Sequence, residues 1–196
     1  MPLTPNRLCS SLAWQSPEDL RETVQLTAAA AITVVSLPLV NEWTQDRQVA
    51  GRTPRWRGIT ALHELHGAGV ATALASDNTR DQFYQYGDLD MLEVFTQGVR
   101  LGQLDRPIGA WPGAVASVPA AAMHLPGRGV IEAGAAADFV LFRARKYSEL
   151  LSRPQHDRVR EQCLPVPDAL LKQTTGQFEL CLETASKPVT PPTTCS

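Results

Sequence analysis

The residues best equipped for chemistry crowd into "SDNTRDQFYQYGDLDM", residues 76–91, immediately after the short apolar run Val70–Ala75. An aspartate at the carboxyl end of a strand in a parallel α/β fold presents two hard oxygens. These can bind a divalent metal or accept a proton from a metal-bound water. Asp77 has that position. The same residue type also folds back on its own backbone to close an Asx turn, which is the commoner use of Asp-Asn after a strand. Both readings stand on the residues alone. Asp81, Asp88 and Asp90 suit solvated or capping positions, while Phe83, Tyr84 and Tyr86 offer faces for a flat heterocycle or for packing against their own scaffold.

Other chemically capable residues have weaker patterns. His63 and His66 lie three apart in "HELH", not four apart as in the HExxH zinc motif, and read as surface or packing histidines. His124 and His156 stand in loop-like contexts without partners. Asn41, closing "SLPLVN", has the same strand-end character as Asp77, with a turn residue as the plainer alternative. Cys9, Cys163, Cys181 and Cys195 form no CxxC pair and read as free thiols. A P-loop, a dinucleotide-binding fingerprint and a nucleophile elbow are all missing from the sequence.

The elements that must position these residues alternate between helix and strand. Ser16 caps a helix that Pro17 opens, with Glu18 and Asp19 at the positive end of its dipole and Leu20, Val24, Ala28 and Ala31 on one face. The β-branched run Ile32–Val40 reads as a strand buried on both sides. A second helix carries Ile59, Leu62 and His66 and ends near Gly67 and Gly69; the next strand covers residues 70–76. Leu89, Leu92, Phe95 and Val99 mark a third helix, a small helix starts near Pro119, and Ala137–Phe142 is a further strand. The order is α/β, with two clear strands in the first 105 residues.

Composition narrows the partners. The 196 residues carry 18 Lys and Arg against 20 Asp and Glu, a formal charge of −2 without a basic stripe, so nucleic acid is not an expected partner. No apolar run approaches the roughly 20 residues of a membrane span and the first residues lack a signal-peptide pattern, so a cytoplasmic protein is expected.

Four segments, "SLPLVNEWTQDR", "TPRWRGITALHELHGAGV", "ALASDNTRDQFYQYGDLDMLEVF" and "GVIEAGAAADFVLF", resemble in order the C-terminal half of cytosine deaminases of the amidohydrolase superfamily, from about Leu8 to Arg158. The resemblance implies the C-terminal part of a (β/α)8 metal-dependent hydrolase barrel with a fragment of the small β domain. It also implies one divalent metal, iron or zinc, held by an HxH pair, a further histidine and an eighth-strand aspartate. Asp77 matches that aspartate, as metal ligand and proton shuttle; Asn78 and Phe83 match positions beside and over the pyrimidine. The family's sixth-strand histidine is replaced by Leu8 in "RLCSSLAWQSP", and the other histidines have no counterpart.

The expected organisation is a partial barrel over 1–125, a return strand to the small β domain over 126–160 and a divergent, partly disordered tail over 161–196. The expected function is hydrolytic deamination of a cyclic amidine, by a chain that binds metal weakly and is inactive alone. The substrate would be pyrimidine-like, with a triazine or another cyclic amidine also compatible, and the partner an N-terminal half in trans or another copy. The competing reading is a non-catalytic half-barrel that binds a partner or is a remnant.

Overall fold

A computed structural model describes residues 11–47, 51–55, 57–135, 138–152 and 158–161. The readings for Leu8, His156, the four cysteines and the tail from residue 162 lie outside the described residues.

Helix α1, Pro17–Ala29, starts as its sequence dictates: Ser16 Oγ accepts the Asp19 N–H at 3.2 Å, and Pro17 occupies the first turn. Val24 and Thr27 are buried, with Leu20 and Ala28 packed beside them. Ala31, expected on the same face, is exposed at φ +50°, because the helix has already ended.

Strand β1 is Val34–Ser36, shorter than the expected Ile32–Val40, because Pro38 opens helix α2, Pro38–Thr44. Proline has no N–H to lose at a helix start and its fixed φ suits that position. Asn41 therefore lies within a helix, not at a strand end, and it is buried. Helix α3 is confined to Leu62–Gly67 and buries Leu62 and Leu65; Ile59 precedes it and His66 is exposed. Strand β2, Thr72–Leu74, is buried throughout and pairs in parallel with β1, Val34 opposite Thr72 and Ser36 opposite Leu74.

Helix α4, Met91–Gly102, is capped by Asp90, whose Oδ1 accepts the Leu92 N–H at 2.9 Å. Leu92, Val94, Phe95, Thr96, Gly98 and Val99 are all buried, so α4 runs through the interior with little free face. Leu89, expected to begin its apolar stripe, precedes the helix and is exposed. Helix α5, Ser117–Ala122, includes Pro119, and β3, Phe139–Phe142, is followed by α6, Tyr147–Ser152. An antiparallel partner for β3, strand β4 over Arg158–Glu161, has no counterpart in the sequence expectations.

Two apolar clusters hold these elements. Leu12, Val24, Val34, Leu65 and Val70 join α1 and α3 to β1. A larger cluster gathers Leu39, Leu62, Leu74, Leu92, Phe95, Val99, Trp111, Leu150 and Leu151 around α4. Full burial of side chains such as Phe95 and Leu65 stabilises by about 1.5–3 kcal/mol each. Arg100 ties α4 to α6, donating from Nη2 to the Leu151 carbonyl at 2.7 Å, and Arg128 pairs with Asp138 at the entry to β3. Two parallel strands with their helices are part of an α/β fold, and the described residues do not close a barrel.

Candidate active site

Parallel pairing of β1 and β2 sends the segments after Ser36 and after Leu74 out on the same edge of the sheet. The first becomes α2 and the second becomes the loop 75–90, and they meet through aromatic rings. Trp43 of α2 lies edge-on to Tyr84 at 5.9 Å and to Tyr86 at 5.0 Å between centroids. The guanidinium of Arg47 sits 3.5 Å from the centroid of the Trp43 ring.

Asp77 lies three residues past β2 with φ +63°, and Arg80 follows at φ +50°. Left-handed backbone is unfavourable for residues with a Cβ, although Asp tolerates it better than most, and such conformations persist where surrounding contacts impose them. Asp81 closes the turn that follows them. Its Oδ1 accepts the N–H groups of Phe83 at 2.8 Å and Tyr84 at 2.9 Å, while its Oδ2 accepts Asn78 Nδ2 at 2.5 Å. The Asx-turn role open to Asp77 is thus filled chiefly by Asp81. Asp88 and Asp90 act as expected, capping the N–H groups of Leu89 and Leu92.

The electrostatics separate these carboxylates. Partial withdrawal from water pushes the Asp77 carboxyl above its usual range; the Asn78 N–H opposes this and the Asp81 charge reinforces it. Asp81 goes the other way, held low by the Asn78 amide and the Tyr84 and Phe83 N–H groups. Burial raises Glu93, with Asp90 and Asp88 adding to the effect. One loop therefore carries a carboxyl with raised proton affinity beside others locked as anions.

The remaining candidates divide. Asn78 is spent on Asp81, so its side chain shapes the loop. Phe83 is 67% exposed, its ring facing water, whereas Tyr84 is buried against Trp43. His63 and His66 pack on Trp111, at 5.4 and 4.7 Å, and His63 Nε2 lies 2.9 Å from the Gly102 carbonyl. They stand on the helix that leads into the amino end of β2, opposite the edge from which Asp77 emerges. Trp43 and Arg47 were not singled out in the sequence; α2 ends at Thr44 and Asp46 turns at φ +54°, so no helical spacing joins them.

Among the described residues no group of three or more His, Cys, Asp or Glu side chains could hold a metal ion. A catalytic zinc-type centre takes about three protein ligands, so Asp77 and its neighbours do not fit such an ion by themselves. Among the described residues, too, no helix is long and apolar enough to cross a membrane.

The sequence model of the amidohydrolase family matches residues 4–176, and the chain belongs to that family, which generally uses a divalent metal. Over 151 residues, 77% of its length, the chain is 54% identical to a pterin deaminase of Rhizobium rhizogenes. It spans only about a third of that relative, 34%. Among solved structures it resembles 5-methylcytosine deaminase of Klebsiella pneumoniae liganded with 5-fluorocytosine, with a TM-score of 0.62 and 22% identity over 81% of this chain and 39% of that one. It also resembles N-isopropylammelide isopropylaminohydrolase of Burkholderia multivorans, with a TM-score of 0.61 and 19% identity over 78% of this chain and 36% of that one. These structural likenesses are evidence of a shared fold.

Proposed function

We propose that the chain is part of a hydrolytic deaminase of the amidohydrolase type that acts on a cyclic amidine, and that the ring it serves is a pterin. The pterin deaminase at 54% identity supports a pterin over cytosine; the 5-methylcytosine deaminase, at 22%, speaks to the fold alone. The observation that carries the reading is the placement of Asp77. It follows the carboxyl end of a buried parallel strand, where such folds collect their functional side chains, and partial burial raises the proton affinity of its carboxyl above that of an ordinary aspartate.

In this reading Asp77 takes the proton from the attacking water and delivers it to the departing ammonia, and it is the one metal ligand contributed by the described residues. Phe83 offers an exposed ring face to the heterocycle. Asn78, expected beside the substrate, instead fixes Asp81 and through it the loop. The described residues do not form a metal centre by themselves. The iron or zinc site would be completed by histidines of another segment, such as an N-terminal half in trans; another copy of this chain is the alternative partner but brings no such histidines. Residues 1–125 then form the barrel part, 126–160 the return to a small β domain, and 161–196 a divergent tail.

A second reading, a non-catalytic half-barrel that binds a partner, is favoured by the shortage of ligands alone. Ammonia release from pterin and from cytosine separates the readings, assayed with the chain alone and mixed with a segment bearing the HxH and further histidines. Pterin turnover in the mixture, at least about tenfold above cytosine and lost in Asp77→Asn, is the expected result. Equal or preferential turnover of cytosine overturns the pterin assignment. Folded protein without turnover in any mixture establishes the non-catalytic reading.

A further inference from the structure

The contacts that hold the Asp77 loop lead, one after another, to a side chain outside it. Asp77 accepts the N–H of Asn78. The Asn78 side-chain amide donates to Asp81 Oδ2 at 2.5 Å. Asp81 and Tyr84 are joined twice, by the Tyr84 N–H to Asp81 Oδ1 at 2.9 Å and by the Asp81 N–H to the Tyr84 carbonyl at 3.1 Å. The Tyr84 ring then meets Trp43 edge-on at 5.9 Å, and Tyr86 closes a triangle, 5.0 Å from Trp43 and 6.2 Å from Tyr84. Trp43 is the one member of this chain of contacts that belongs to α2.

Trp43 is better anchored than the loop it touches. Helix α2 buries Pro38, Leu39, Val40 and Asn41, and Thr44 Oγ1 bonds back to the Val40 carbonyl at 2.9 Å. Trp43 itself packs on the core cluster that contains Leu74 and Phe95. The loop, by contrast, has no helix or strand between β2 and α4, and its Phe83, Tyr86 and Leu89 side chains are exposed. Its left-handed backbone at Asp77 and Arg80 persists only where surrounding contacts support it. The rings facing α2 supply such contacts from a fixed element.

We infer that Trp43 is a positioning residue of the candidate site: its edge contacts with Tyr84 and Tyr86 hold the loop closed and so fix the backbone that carries Asp77. The role of Asp77 in this statement rests on the deaminase reading; the clamp itself rests on the contacts. An edge-on aromatic pair contributes a factor of about 2 to 12 beyond its buried area, so two pairs shift the opening of the loop by about 5- to 150-fold. Leucine at position 43 fills apolar volume without a ring to meet the tyrosines. Phenylalanine keeps a ring there, and this separates a clamp from a core filler.

The test is amide hydrogen exchange, read residue by residue, in wild type, Trp43→Leu, Trp43→Phe and Tyr86→Ala. Trp43→Leu is expected to accelerate exchange of the Phe83 and Tyr84 amides about 10- to 100-fold. The Ala75 N–H, held by the Ser36 carbonyl at 3.0 Å across the two strands, should change by less than about threefold. Trp43→Phe should bring the loop amides back to within about threefold of wild type. Tyr86→Ala removes only an exposed ring, so it folds even if Trp43→Leu does not, and it should accelerate the same amides by about threefold or more. Wild-type exchange at Phe83 and Tyr84 in Trp43→Leu or in Tyr86→Ala overturns the inference. So does equal acceleration at Ala75, or a Trp43→Phe variant no better protected than Trp43→Leu, since either marks a core residue without a positioning role. In the mixture with the histidine-bearing segment, Trp43→Leu should lower kcat for pterin about tenfold with KM within about twofold, and Trp43→Phe should restore it. Unchanged kcat despite a loosened loop overturns the positioning role. No turnover by wild type in any mixture, with the exchange results as expected, removes the deaminase reading and leaves the clamp standing.

Discussion

Replacing Gly87 by alanine should loosen the Asp77 loop without touching any charged group. A Cβ at this position would lie 2.8 Å from the Asn78 carbonyl oxygen and 2.8 Å from Tyr84 Cε1, where ordinary contacts begin near 3.4 Å. The carbonyl is backbone and cannot swing aside, and the Tyr84 ring is itself buried against Trp43. The loop must therefore open at one end. Overpacking of this kind costs about 1–3 kcal/mol. If that cost falls on the loop's local opening, exchange of the Phe83 and Tyr84 amides, which Asp81 holds, accelerates about 5- to 150-fold. Hydrogen exchange read residue by residue is the assay, with urea denaturation measuring any global loss. Gly109→Ala is the control: nothing lies within 4 Å of its Cβ and its φ is not positive, so its exchange should match wild type. Wild-type protection of Phe83 and Tyr84 in Gly87→Ala, with unchanged stability, would refute the claim that this loop is closed on Asn78.

Three further outcomes follow from the same contacts. Asp81 and Asp88 are held below the ordinary aspartate value of 3.8, so the stability they lend is present above that value and is lost as pH falls toward their depressed folded values; exchange at Phe83 measured from pH 5 to pH 2 should show this loss, and Asp81→Asn should flatten it. Ser16→Ala removes the acceptor for the Asp19 N–H and should cost about 1 kcal/mol in urea denaturation, without altering the Asp77 loop. Gly129→Ala combines φ +70° with a Cβ 2.5 Å from the carbonyl carbon and oxygen of Ala116, all backbone, and should destabilise by about 2–4 kcal/mol, seen as a fall in the urea midpoint.

What the sequence made legible was local chemistry, and what it hid was long-range contact. Helix α1 could be read because Ser16, Pro17 and two acids mark its start within four residues. Helix α4 could be read because its apolar residues recur at helical spacing, although burial on nearly every side obscured its first turn. The proline signal that opened α1 also opens α2 at Pro38, but the apolar run around it reads equally as strand, and Asn41 was misplaced with it. The second helix was overextended for a related reason: Ile59 packs in the core from an irregular segment, which helical spacing cannot distinguish. Strand β4 has no period of its own and exists through pairing with β3.

At the site, residues alone left Asp77 divided between turn and chemistry. The structure shows Asp81 doing most of the turn work. Trp43 could not be tied to that loop from sequence, since it meets residues about forty positions away through ring contacts that leave no local pattern. Arg47 reaches the Trp43 ring only because the chain turns back after α2, through an extended Gln45 and Asp46 at φ +54°, which no spacing rule anticipates.

The proposed role of Asp77 is that of one ligand of a deaminase centre whose other ligands come from another segment. Its most direct test is metal content measured alongside pterin turnover, for the purified chain and for the chain mixed with a segment carrying the HxH and further histidines. The account predicts well under one metal per chain and no enzyme-like turnover for the chain alone. Both should rise in the mixture, and both should fall again with Asp77→Ala. Stoichiometric metal with enzyme-like turnover by the chain alone would contradict it, as would full activity of the mixture carrying Asp77→Ala.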